Sequence, residues 1–134
     1  MQDDDAHRNA VTIEILQKHV VDLCERDDIV LCWCKRISQA CALRECEEIQ
    51  VAPIKSVVSY AVALHEIGHV KGRHQTSSIV IVRERWAWKW ARANALIWTN
   101  RMENCAIQSL DWYAARWQAP IKAFVFPGSL TSKS

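Results

Sequence analysis

Apolar side chains recur along this chain with two different periods, and the change of period divides it into elements. From Asp5 to Cys24 the apolar positions Ile13, Leu16, Val20 and Leu23 are three and four apart, which predicts a helix packing one face, with acidic residues near its start where the helix dipole favours them. After Asp27-Asp28, the run Ile29-Val30-Leu31-Cys32-Trp33-Cys34 is short, apolar and partly β-branched, the pattern of a buried strand. Weaker strand patterns cover Ala40 to Arg44 and Glu48 to Ala52. Pro53 suits the first turn of a second helix, which Ile54, Val57, Val58, Ala61, Val62 and Leu64 make apolar on most sides and therefore buried. Gly72 closes it before a polar connection, Arg73 to Ser78. Another helical stretch runs from Ile79 to Trp98, although its β-branched start, Ile79-Val80-Ile81-Val82, is equally suited to extended backbone. Asn100 and Glu103 have the form of a capping box, so a further helix is expected over Arg101 to Trp117. Beyond Pro120, Ile121 to Phe126 has the pattern of a short strand, followed by Pro127-Gly128 and a loose Ser/Thr/Lys end.

The chain has 134 residues and is half apolar, enough to bury a core, so one domain is expected over residues 1–119 with a C-terminal tail over 120–134. A formal net charge of +2, with basic residues spread along the chain, lacks the electrostatic footprint of a dedicated nucleic-acid binder. The chain starts polar and acidic, without an apolar segment preceded by basic residues, so no export signal is read there. No apolar run is long enough to span a bilayer. Six cysteines in such a chain read as reduced thiols in the cytoplasm rather than as a disulfide framework. Cys32 and Cys34 are closer together than paired zinc ligands usually are, and buried small hydrophobes is the better account of them.

The chemistry concentrates at His65-Glu66-Ile67-Gly68-His69, an H-E-x-x-H sequence on the predicted buried helix. Positions i and i+4 of a helix differ by about 40° of rotation and about 6 Å of rise, so both imidazoles can address one ion. Glu66 lies roughly 100° from His65 and 60° from His69 around the axis, beside such an ion, where a base for an attacking water must sit. Gly68 leaves room on this helix for a close neighbour or a substrate strand.

A catalytic zinc takes three protein ligands and an open position. His74 is one candidate for the third: His69 to His74 comes within one residue of an H-x-x-G-x-x-H ending, with Gln75 where the histidine would stand. Glu103 is another, although capping already accounts for it. Glu84 is preferred, because Glu84, Ala87, Ala91 and Ala95 recur at three and four and form a small-residue strip that brings this helix close to the histidine helix. Most of the tryptophans around it, Trp86, Trp88, Trp90 and Trp98, read as core or cleft wall.

His65-Glu66-Ile67-Gly68-His69 followed by Glu84 in an E-x-x-A-x-x-x-A frame resembles the gluzincin type of zinc peptidase, most of all the small ImmA/IrrE-type metallopeptidases of bacteria and their mobile elements. The resemblance covers roughly Val51 to Leu96. It implies a zincin-like α+β fold of three to four helices with a small antiparallel or mixed sheet beside the active-site helix. It also implies one zinc held by His65, His69 and Glu84, Glu66 as general base, and cleavage of a regulatory protein rather than general digestion. The chain departs from the family in its Trp-rich second helix, in lacking the proline-containing end of that helix, and in having no accompanying DNA-binding domain. The expected activity is therefore that of a cytoplasmic zinc endopeptidase acting on a protein or peptide. The alternatives are a non-catalytic interaction module on the same fold, or a nucleic-acid regulator using Trp86, Trp88 and Trp90 among basic residues. Tyr113, Tyr60 and His74 are open candidates for the donor that a tetrahedral intermediate needs.

Overall fold

The computed structural model describes residues 11–116. Within them the order is α1 (Ile13–Arg26), β1 (Val30–Trp33), a 3-10 turn (Ile37–Gln39), β2 (Cys41–Leu43), a second 3-10 turn (Arg44–Cys46), β3 (Glu48–Val51), α2 (Val57–Lys71), α3 (Val80–Asn94) and α4 (Asn100–Ala115). This is the expected α+β class. The strand expected over Ile121 to Phe126, the tail, the start of the first helix pattern and the proposed boundary at residue 119 lie outside the described residues.

The sheet is mixed and ordered β1-β3-β2. β3 lies in the middle, parallel to β1 with Leu31 opposite Ile49, and antiparallel to β2 with Ala42 opposite Ile49. Ile49 and Val51 are buried while Glu48 and Gln50, alternating with them, are half-buried, so β3 turns one side to the helices by simple alternation. Over that side lies α2, whose residues from Ser59 to Gly68 are all buried. Leu16, Val20 and Leu23 of α1, Trp88 and Ala91 of α3, and Met102 and Ala106 of α4 complete the core around it. A helix enclosed in this way has to be apolar on most sides, and it carries its few polar side chains to the interior.

Helix ends differ from the sequence expectation in four places. Residues 11 and 12 are not helical, and Thr12 caps α1 by accepting the Ile15 amide at 3.3 Å, so the first helix does not run through from Asp5. Pro53 precedes α2 instead of opening it. Ser56 accepts the Ser59 amide at 3.1 Å, and the Ser59 hydroxyl accepts the Ser56 and Lys55 amides, a reciprocal cap that starts the helix at Val57. The third helix stops at Asn94, leaving Trp98 in the following connection. The last helix is capped by Thr99 with Met102, whereas Glu103 is drawn to Arg92 at 2.8 Å and to the Trp98 indole N–H at 2.6 Å. Of the β-branched start of α3, Val80, Ile81 and Val82 are helical while Ile79 before them keeps extended backbone, with tertiary packing overriding local preference from Val80 on.

Candidate metal centre

His65 and His69 leave α2 on the same side, one turn apart, with their rings edge-on and centroids 4.5 Å apart. Glu84 comes from α3 and places its carboxylate between them. Oε1 is 2.9 Å from His65 Nε2 and Oε2 is 2.9 Å from His69 Nε2. One nitrogen from each histidine and one Glu84 oxygen lie within 4.8 Å of one another. The two helices meet this closely because Gly68 has no side chain: a Cβ there would stand 3.0 Å from the Cα and the carbonyl carbon of Ala87, and nearer still to its carbonyl oxygen. The room Gly68 provides is thus filled by the backbone of α3, three residues past Glu84.

Each of these groups is further held. The His65 ring stacks on Trp88 with centroids 4.3 Å apart, and the Trp88 indole N–H donates to the buried Ser109 hydroxyl at 3.2 Å. Glu66 sits beside the cluster, its Oε2 3.4 Å from His65 Nδ1. On the outer side of His69, Nδ1 is 2.8 Å from Gln75 Oε1. A cavity of about 360 Å³ opens over the cluster, walled by Ala40, Cys41 and Ala42 at β2, by Arg44 and Arg83, and by Ser109 and Tyr113 of α4.

Charge makes this cluster unusual. Glu66 and Glu84 are 5% and 6% exposed, and among the described residues their ion pairs are with the two histidines and not with a lysine or arginine. Burial alone would lower His65, but the charge of Glu84 and the hydrogen bonds to Glu66 and Glu84 outweigh it and push this imidazole up to about 9. Burial would likewise raise Glu84, yet His65 and the hydrogen bonds from both histidines hold its carboxyl well below the usual carboxylate range. Two carboxylates taken from water require a compensating positive charge. Two imidazoles and a carboxylate form a donor set suited to zinc, and a divalent cation would supply that charge directly, so the residues fit the metal.

Of the residues singled out from sequence, His65, Glu66, His69 and Glu84 come together. His74 does not join them. Its backbone is left-handed, with φ of 60°, and its ring lies 4.7 Å from that of Trp86. Glu103 is occupied by Arg92 and Trp98, remote from the cluster in its bonding. Of the three candidate oxyanion donors, Tyr113 alone lines the cavity; the Tyr60 hydroxyl accepts the Leu96 amide and contacts His19. Sequence reasoning missed Gln75 and Ser109, since neither belongs to a motif and both act across elements. Comparison with family models, with curated proteins and with solved structures returns no match to this chain. No helix among the described residues is long and apolar enough to cross a membrane.

Proposed function

We propose that this chain is a cytoplasmic zinc-dependent endopeptidase that cleaves a specific, regulatory protein, in the manner of the ImmA/IrrE-type peptidases it resembles. The observation that carries the reading is the convergence of His65, His69 and Glu84 to within 4.8 Å on the wall of an open cavity that also contains Glu66. His65, His69 and Glu84 would hold the ion. Zinc bound there would activate water near neutral pH and polarise a carbonyl. Glu66 takes the proton from the attacking water and returns it to the departing amine, a role that requires a carboxylate beside the ligand set and not within it. Tyr113, on the cavity wall, donates to the oxygen on which charge develops. Trp88 packs flat on His65 and keeps that ring in place while Glu84 is engaged.

Zinc content and cleavage of a quenched-fluorescent peptide library test the reading together. The wild-type chain is expected to hold about one zinc per chain and to cleave. Glu66→Gln is expected to keep the metal and lose cleavage, and His65→Ala to lose both. A wild-type chain that takes up no zinc, or a Glu66→Gln chain that still cleaves, would overturn the assignment. Zinc uptake without cleavage by the wild type would instead favour a non-catalytic interaction module.

A further inference from the structure

Gln75 lies in the connection between α2 and α3 and is 8% exposed. The two ends of its amide have opposite needs. Nε2 donates to the carbonyl oxygens of Arg73 at 3.1 Å and Arg83 at 2.9 Å. Carbonyl oxygens only accept, so the amino group must occupy that side and Oε1 the other. Oε1 faces His69 Nδ1 at 2.8 Å, and an amide oxygen has no proton to give, so the ring nitrogen is the donor. The opposite nitrogen, Nε2, is the one turned to Glu84. We propose that Gln75 is the positioning residue of the metal centre: it keeps a proton on His69 Nδ1, directs Nε2 at the ion, and ties the connection to α3 one residue before Glu84. A ligand histidine held by an outer hydrogen-bond partner is a general requirement of metal sites, and here a neutral side chain meets it. Gln75 occupies the position where an H-x-x-G-x-x-H pattern would place a third ligand, but it acts from behind the second one.

This inference rests on the proposed role of His69, and its test separates the two. Zinc affinity of the full-length chain is measured by competition with a chelator for wild type, Gln75→Leu and Gln75→Glu, alongside thermal melts and ¹⁵N spectra of the histidine rings. Gln75→Glu loses both amide donor bonds but keeps an acceptor for His69; Gln75→Leu loses everything. Gln75→Leu is expected to bind zinc about 10- to 100-fold more weakly while remaining folded, and Gln75→Glu to stay within about threefold of wild type. An equal loss in both variants would reduce Gln75 to a structural tie and overturn the proposal. In the metal-free wild type the His69 Nδ1 proton should already be visible and protected, and its absence would overturn the proposal whether or not zinc binds.

An independent observation concerns charge. Between residues 71 and 92 every charged side chain except Glu84 is lysine or arginine. Lys71 pairs with Glu47 and Arg92 with Glu103, whereas Arg73, Arg83, Arg85 and Lys89 meet no carboxylate among the described residues. Arg73 and Lys89 lie over the Trp86 ring, 5.4 and 4.4 Å from its centroid, and Arg83 and Arg44 line the cavity. We infer that these cations, from Arg44 and Arg83 on the cavity wall to Arg73 and Lys89 over Trp86, dock an acidic segment of the protein substrate. An indole already covered by two cations and His74 is a poor platform for a nucleic-acid base. The test uses the Glu66→Gln chain and three fluorescent probes: a Glu/Asp-rich peptide, its Gln/Asn counterpart, and a single-stranded DNA of the same charge. The acidic peptide is expected to bind about tenfold more tightly than its neutral counterpart, and Arg73→Glu with Lys89→Glu to abolish the difference. Equal binding of the two peptides, or tighter binding of the DNA, would overturn it. The assay needs no turnover, so its failure is distinct from failure of the peptidase reading.

Discussion

Gly68→Ala puts the geometry of the centre to its most direct test, because it adds one methyl group at the point where two helices touch. In an isolated helix the change is favourable, by about 0.8–1 kcal/mol. Here the added Cβ would stand 3.0 Å from the Cα and the carbonyl carbon of Ala87, and closer to its oxygen. The obstacle is backbone, which cannot rotate aside as a side chain would. Overpacking of this kind costs about 1–3 kcal/mol even where side chains can adjust, so after the helix gain the net effect is expected to be a loss of up to about 2 kcal/mol. The melting temperature should then fall by roughly 4 °C per kcal/mol for a chain of this size.

The larger effect should fall on the metal. To restore ordinary contact, α3 must retreat by about 0.5 Å or more, and Glu84 moves with Ala87 because residues three apart share a helix face. Metal–ligand distances tolerate only about 0.2 Å, so the carboxylate would no longer reach an ion held by His65 and His69. Chelator competition is expected to show at least about a tenfold loss of zinc affinity, in a chain whose far-ultraviolet circular dichroism remains helical. Unchanged affinity with a raised melting temperature would refute the argument, since it would mean that the close approach at Gly68 does not set the position of Glu84.

Two further outcomes follow from titratable groups away from the centre. Burial pushes the Cys24 thiol up to about 11 and the Cys105 thiol up to about 12, so the native chain should resist iodoacetamide at both positions while exposed Cys46 reacts first; peptide mapping that finds Cys24 or Cys105 modified as quickly would contradict this packing. His19 Nδ1 lies 2.6 Å from the Tyr60 hydroxyl, and burial lowers its pKa against the opposing pull of Asp22. As pH falls below the ordinary value of 6.5, the unfolded chain binds this proton first, so the contribution of His19 is complete above that value and is lost as pH falls through the depressed folded one. Urea melts should show wild type losing its advantage over His19→Gln in that acid range, and a constant difference across it would count against the assignment.

What could be read from sequence was local, and what could not was convergent. The common direction of His65 and His69 follows from helical period alone, and the Glu84, Ala87, Ala91 strip foretold a close helix pair because small side chains are what such a contact needs. Glu103 shows the limit of that method: its spacing from Asn100 matches a cap, but Arg92 and Trp98, distant in pattern and near in space, offered it charge and an indole donor, while Thr99 took over the cap. Ser56 displaced Pro53 as the start of α2 for a related reason, since two serines three apart can satisfy each other's backbone, which a proline's fixed φ cannot do. Gln75 is the extreme case. Nothing about a glutamine in a polar connection marks it, and its meaning arises only when Arg73 and Arg83 carbonyls fix one end of the amide and so decide what the other end must do to His69. A substitution table built on sequence would treat Gln75 as surface and Gly68 as a replaceable helix defect. The structure makes both of them determinants of how His65, His69 and Glu84 meet, one by what it bonds and the other by what it lacks.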